Sequence, residues 1–192
     1  MDDPSITKDD LRRAYKMAQN NIFSGKQKDV ILKLLTRKTL FNNQIPHIYE
    51  ENLPPWFSSV HCNECLTKRQ IEVTETGTHA LKNCPSVTDY YASVSQALGV
   101  PINSTNLAGF FSNPLINNVG PRPTLINNQM TSIVTWLTVI TLTNYRNSRI
   151  PFNDTMVSSV VRSLNTIQKT FKGFDLGAMR GVFENPISRV TH

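Results

Sequence analysis

Four residues within one stretch of 23 have the types and spacing of a metal site: Cys62-x2-Cys65-x13-His79-x4-Cys84. Thiolates and an imidazole are the soft and borderline donors that zinc takes in a tetrahedron. Two cysteines separated by two residues make a knuckle, because both sulfurs reach one ion from a tight turn. A His and a Cys separated by four residues lie a little over one helical turn apart and can close the site from a helix start. The thirteen residues between the two pairs suffice for a hairpin that returns the chain. Every cysteine of the protein is used. Two plainer readings compete. The cysteines can cluster as small buried apolar residues, or His61 can stand in for His79, although it would have to bind beside its neighbour Cys62. The expected cofactor is one zinc ion on Cys62, Cys65, His79 and Cys84. Four protein ligands leave no open position for water, so the ion is structural, contributing folding energy to a segment poor in large apolar side chains. A zinc hydrolase would need an open position and a base from Glu64, Glu72 or Glu75, and the closed set argues against it.

The elements around this segment follow from hydrophobic period and punctuation. Two helices are expected over 7–41, broken at Ser24 or Gly25. The first has a capping box at Thr7 and Asp10 and a stripe of Leu11, Tyr15 and Ala18; the second has Val30, Ile31, Leu34, Leu35 and Leu40 on one face. Asn42-Asn43, Pro46, Pro54 and Pro55 make 42–61 a connector without regular helix, its Tyr49, Trp56 and Phe57 packed under the metal segment. Arg69 to Thr76 alternates Ile71 and Val73 with polar residues, as a short hairpin strand does. Ser86 and Asp89 suggest a capping box for a helix that buries Val87, Tyr90, Tyr91 and Val94 and stops at Gly99. After a Pro-, Gly- and Asn-rich stretch over 100–124, a long helix is expected from Thr124 to Asn147 with Ile133, Val134, Trp136, Leu137 and Ile140 in the core. A last helix, capped by Asn153 or Asp154, repeats Val157, Val160, Val161, Leu164, Ile167 and Phe171. The expected fold class is mainly α: a helical bundle with a small inserted zinc knuckle, built of a short β-hairpin and a helix start. The expected organisation is a basic helical segment and linker over 1–60, the knuckle and following helix over 61–99, a helical part over 100–175 and a loosely ordered tail over 176–192.

Composition narrows the function classes. The 192 residues are 39% hydrophobic and 18% charged, which excludes a charged disordered tail. Three cysteines, an odd number, exclude a secreted disulfide framework. The most apolar run, Ile133 to Leu142, has ten residues and three threonines, against roughly 20 for a membrane span. The opening Met-Asp-Asp-Pro-Ser lacks the features of a signal peptide. The expected location is intracellular, in the nucleus. A net charge of +6 suits an anionic partner.

Cys62-Asn63-Glu64-Cys65 followed by Glu75-Thr76-Gly77-Thr78-His79-Ala80-Leu81-Lys82-Asn83-Cys84-Pro85 resembles the pattern C-x2-C … E-T-x-x-H-x-L-x-x-C-P. That pattern marks the zinc-binding C-terminal domain downstream of the reverse transcriptase in non-LTR retrotransposons. The flanks are similar too: a basic segment over Lys26 to Phe41 before the cysteines, and Trp136 with Tyr145-Arg146-Asn147-Ser148-Arg149-Ile150 after them. The spacer of thirteen is longer than the family's usual one. The paired aspartates of a polymerase, in a Tyr/Phe-Ala-Asp-Asp context, are missing, since Asp2-Asp3 and Asp9-Asp10 lack that setting. The Pro-Asp, Asp and Lys set of the nuclease carried by some related elements is missing as well: Asp89, Asp154, Asp175 and Glu184 are the carboxylates after Cys84, and none follows a proline. There is no Gly-rich phosphate loop and no Ser/His/Asp set.

The resemblance therefore implies a non-enzymatic accessory domain, or a remnant of one, that binds RNA or DNA beside the polymerase part of the same retroelement. No small-molecule substrate and no membrane is expected. The side chains expected to meet nucleic acid are Lys26, Lys28, Lys33, Arg37 and Lys38 on one helix face, with Lys68 and Arg69 in the zinc loop. Arg146, Arg149, Arg162, Lys169 and Lys172 form a second basic group. Trp56, Tyr90, Tyr91 and Trp136 are possible stacking platforms, with core packing the commoner fate of such residues. The alternative is a protein-interaction module whose zinc only staples a helical bundle.

Overall fold

The computed structural model describes residues 12, 15, 19, 21–36, 38–100, 102 and 122–170, with the backbone alone over 122–132. The chain is mainly helical: α1 (Gly25–Leu35), a 3-10 turn (Asn42–Gln44) running into α2 (Ile45–Tyr49), α3 (Asn63–Arg69), a π-type turn (His79–Asn83), α4 (Pro85–Leu98), α5 (Arg122–Asn147) and α6 (Thr155–Thr170). Among the described residues, none of these helices is long and apolar enough to cross a membrane. The expected helix before Ser24 falls largely outside the described residues, as do its capping box, the stretch 103–121, Phe171 and the tail.

Each helix starts for a local reason. Ser24 and Gln27 form a full capping box on α1: the Ser24 hydroxyl accepts from the Gln27 N–H, and the Gln27 amide oxygen accepts from the Ser24 N–H. Helix α1 stops earlier than its apolar stripe suggests. Thr36 turns its hydroxyl back to the Leu32 carbonyl at 2.7 Å, and the N–H groups of Lys38 and Thr39 both donate to the Lys33 carbonyl. Leu40 is left outside the helix and exposed. The connector is not free of helix, as its prolines had suggested: Pro46 lies in the first turn of α2, where a missing N–H costs no bond. Helix α4 begins at Pro85 with Cys84 as its N-cap, so the expected Ser86/Asp89 box does not form. It ends as expected, with Gly99 at φ 63° taking up the left-handed conformation that terminates helices.

Helix α5 shows how a Thr-rich sequence stays helical inside a core. Thr138 and Thr143 are buried, and their hydroxyls donate to the carbonyls of Val134 and Val139 at 2.7 and 2.8 Å. No polar atom of either hydroxyl is stranded. Asn153 is the cap of α6, its amide oxygen accepting from the Thr155 N–H at 3.0 Å.

Helix α5 packs mainly on α6, with α4 also on α6 and α1 on α5. Among the described residues one apolar cluster joins Ile31 of α1, Val87 and Val94 of α4, Leu137 of α5 and Leu164 of α6, and the three cysteines belong to it. Burying each such aliphatic side chain contributes about 1.5–3 kcal/mol. The metal segment is therefore built onto the bundle core.

A candidate metal centre

The first pair of cysteines sits on one helical turn. Cys62 is the N-cap of α3 and Cys65 lies in its first turn, with the Leu66 N–H donating to the Cys62 carbonyl at 3.0 Å. Residues three apart on a helix share a face, so both sulfurs point the same way. The helix ends at Gln70 with φ 54°, which reverses the chain. The return run then lies beside the start: the Cys62 N–H donates to the Val73 carbonyl at 2.8 Å and the Glu75 N–H to the Val60 carbonyl at 2.9 Å. The expected β-hairpin is not formed among the described residues; a single antiparallel bridge joins His61 to Thr74. The alternation of Ile71 and Val73 misleads because the facing segment coils into α3 directly after Cys62, so pairing stops at the one bridge and Ile71 is left half exposed.

The second pair is set by an unusual turn. Thr76 opens it, its hydroxyl accepting from the His79 N–H and its carbonyl from the Ala80 N–H. The Cys84 N–H then donates to the His79 carbonyl at 2.9 Å, five residues back, which is a π-type bond. The Tyr91 hydroxyl of α4 donates to the Leu81 carbonyl at 2.7 Å and ties the turn to the bundle. The wider turn is what lets a His and a Cys with four residues between them face one point.

All four side chains are buried, and their ligand atoms lie within 4.8 Å of one another. The Cys84 sulfur is 3.8 Å from that of Cys62 and 3.7 Å from that of Cys65, and the Cys65 sulfur is 3.4 Å from His79 Nε2. Disulfide sulfurs would be about 2.05 Å apart. A tetrahedron with metal–thiolate bonds of about 2.3 Å has sulfur–sulfur edges of about 3.8 Å, and one with a metal–imidazole bond of about 2.0–2.1 Å has a sulfur–nitrogen edge of about 3.5 Å. The cluster fits a single four-coordinate metal ion. His61 is not part of it; its carbonyl accepts from the Asn42 side chain instead.

Three thiolates outweigh a divalent ion by one negative charge, and the structure supplies the counter-charge from α5. Arg146 brings both terminal nitrogens of its guanidinium to 3.9 Å from the Cys62 sulfur. The same guanidinium pairs with Glu75 and lies 5.2 Å over the ring of Phe152. Both charged side chains are about nine-tenths buried. Burial works against the Arg146 charge, but Glu75 and the sulfurs of Cys62 and Cys84 outweigh it and hold the proton more firmly than usual. A second buried carboxylate braces the other side: Glu64 of α3 accepts from the Phe152 N–H at 3.0 Å and pairs with Lys68 at 2.9 Å.

Without a metal, the hydrogen bond to Cys84 and then burial push the Cys62 thiol up to about 12. Burial, foremost, also raises Cys65. Metal uptake at neutral pH must therefore release protons, and affinity must rise with pH. Each released proton changes apparent affinity about tenfold per pH unit. Two raised thiols set an expected gain of about 100-fold or more between pH 6 and 7, measured by chelator competition. A gain below tenfold would mean the thiols are not the ligands.

The basic residues fall into different places from those their types suggested. Lys26, Lys33 and Lys38 line a groove of about 900 Å³ between α1 and the C-terminal end of α5. Lys28 bonds instead to the Gln19 carbonyl and the Asn21 side chain, each at 3.3 Å. Arg37 and Lys172 lie outside the described residues. Lys68, besides its ion pair, donates to the Phe152 carbonyl at 2.7 Å, and Arg69 pairs with Asp89 at 3.2 Å. Arg162 and Lys169 are exposed on α6. Arg149 stacks on Trp56, its guanidinium carbon 4.4 Å from the ring centre. Of the four aromatic candidates, Tyr90, Tyr91 and Trp136 are core residues and Trp56 is half exposed. The reading of residue types missed the roles of Arg146, Glu75 and Glu64. The available signal was a carboxylate beside each ligand pair, too short a pattern to separate from surface charge.

Compared with protein-family models, curated proteins and solved structures, the chain matches none.

Proposed function

We propose that the chain is a zinc-stapled, non-enzymatic nucleic-acid-binding module, of the kind that accompanies a non-LTR retrotransposon reverse transcriptase or a remnant of one. Its role is to hold template RNA or target DNA for the polymerase part of the same element, a nuclear task. The observation that carries the reading is the closed set of Cys62, Cys65, His79 and Cys84 in its Glu-Thr-x-x-His-x-Leu-x-x-Cys-Pro context. Three thiolates and one imidazole at these separations suit zinc better than harder metals. With all four positions taken by protein, the ion holds shape and performs no hydrolysis. The His61–Thr74 bridge is, on this reading, what the knuckle's hairpin reduces to. Phosphate contacts fall mainly to the groove lysines, because Lys68 is held by the buried Glu64 carboxylate and the Phe152 carbonyl, while Arg69 has only an exposed pair with Asp89.

The test is a titration of zinc-loaded protein with single-stranded RNA, single-stranded DNA and duplex at several salt concentrations. Binding should weaken steeply with salt, by about 0.7–0.9 decades per decade of salt for each phosphate neutralised. No binding to any of the three at low salt would sink the reading. A protein-interaction module has one observation in its favour: the connector exposes Ile48, Leu53 and Trp56. It predicts a protein partner, with no salt-sensitive affinity for nucleic acid.

A further inference from the structure

The groove beside α1 combines three features that no single element holds. Its first is unmatched positive charge. Five basic side chains and two carboxylates line it, and both carboxylates are already paired, Asp29 with Lys33 at 2.7 Å and Glu75 with Arg146. Lys26, Lys38 and Arg149 have no carboxylate partner among the described residues. Its second is an aromatic wall. Trp56 is 48% exposed, although an indole free to pack would bury most of its surface. The Arg149 guanidinium covers one part of the ring, so the indole is held in place and still open.

The third feature is the backbone that aims Arg149. Helix α5 ends with the Ile150 N–H donating to the Tyr145 carbonyl and the Arg149 N–H to the Arg146 carbonyl, each at 3.0 Å. That double bond pattern places the residue at position 149 in the left-handed conformation, and Arg149 has φ 55°. Glycine is the residue that takes this position without strain; a side chain there is strained. The same conformation ends α3 at Gln70, so it fixes where Arg149 points and does not by itself mark a site.

We infer that this groove binds a single strand of nucleic acid, with Lys26, Lys38 and Arg149 on phosphates and Trp56 stacked on an unpaired base. The inference rests on the nucleic-acid reading and specifies its site and strandedness. Bases in a duplex are stacked on one another, so an indole in a concave wall meets a base face only on an unpaired strand. A cavity of about 900 Å³ lies within the range of pockets that enclose small ligands, roughly 300–1,000 Å³, which suits a few nucleotides and not the flank of a double helix. Charge for the backbone and a π-face for bases are together what sequence-tolerant single-strand sites use.

The experiment titrates the metal-loaded full chain with a twelve-residue oligothymidine and with a twelve-pair duplex, reading fluorescein anisotropy and tryptophan emission. Trp136 is buried and supplies a constant background; Trp56 should be quenched by the single strand. The oligothymidine is expected to bind at least about tenfold more tightly than the duplex. Trp56→Ala should weaken single-strand binding about 5- to 100-fold, and Trp56→Phe should restore most of it. Lys26→Gln with Lys38→Gln should lower the salt slope by about 1.4. Arg162→Gln with Lys169→Gln, exposed on α6 and not lining the groove, should change little. Melting curves of each variant guard against unfolding as the cause. If Trp56→Ala and the groove lysine pair bind as the parent does while the α6 pair loses affinity, the groove is overturned and the nucleic-acid reading stands. A duplex bound as tightly as the single strand overturns the strandedness. No binding to either ligand overturns both the groove and the function it rests on.

Discussion

A Cys84→Ser variant is expected to lose the metal and to melt about 10–20 °C below the parent. Cys84 is the hub of the cluster: its sulfur faces those of both Cys62 and Cys65, and its backbone caps α4. A serine hydroxyl is a poor replacement for a thiolate on a soft or borderline ion. Structural zinc contributes about 10–16 kcal/mol in small finger peptides, which have little else to hold them. Here the cysteines are part of a larger apolar cluster that also includes Leu137 and Leu164, so a loss of about 5 kcal/mol is the better expectation. In a chain of this size each kcal/mol moves the midpoint about 2–4 °C. Metal content by mass spectrometry and thermal melting by circular dichroism read the two effects separately. A variant that keeps one metal per chain would show that the ligand set is wrong. A variant that loses the metal but melts as the parent does would show that the ion is not a staple.

The second large effect is at Glu75. Its carboxylate is the partner of Arg146 in a pair about nine-tenths buried. Glu75→Ala removes the partner and leaves a guanidinium buried beside thiols, at a cost of about 3–5 kcal/mol in urea denaturation. The cost should be greatest in metal-free protein, where the Cys62 thiol is protonated and offers Arg146 no negative charge. Thiolates on a bound ion would take over part of the carboxylate's role. Converting both partners, Glu75→Leu with Arg146→Met, should recover much of the loss, because no stranded charge is then left. A single-variant loss below about 1 kcal/mol, equal with and without metal, would show that the pair neither carries stability nor communicates with the site.

The same pair explains why the basic residues could not be sorted from sequence. Arg146 and Arg149 are one helical turn apart at the end of α5 and look equivalent by type. Arg146 points into the core against Cys62, whereas Arg149, past the helix end, lies outward over Trp56. Lys68 likewise reads as a zinc-loop cation, yet it is held by Glu64 and by a carbonyl 84 positions away. Glu64 is only four residues from Lys68, but partners as remote as Cys62, Trp56 and the Phe152 carbonyl leave no local trace. Elements with their own punctuation were easier: the break at Ser24, Gly99 after α4 and the repeat along α6 all act within a turn or two of the chain. The connector helix and the missing hairpin went the other way. Pro46 could occupy a first turn, and the alternation over 69–76 had no strand to face once the chain coiled after Cys62.

Sequence alone picked out the four side chains that cluster as a candidate metal site, the mainly helical class and most of the apolar faces of α4, α5 and α6. These depend on spacing and period, which are local properties of the chain. Tertiary structure decided the rest: that a π-type turn converges His79 and Cys84, that Arg146 and Glu75 seal the centre from a distant helix, and that Lys26, Lys38, Arg149 and Trp56 meet in one groove. The last two outcomes join residues tens of positions apart, and only the packing of distant elements against the end of α5 brings them within reach of one another.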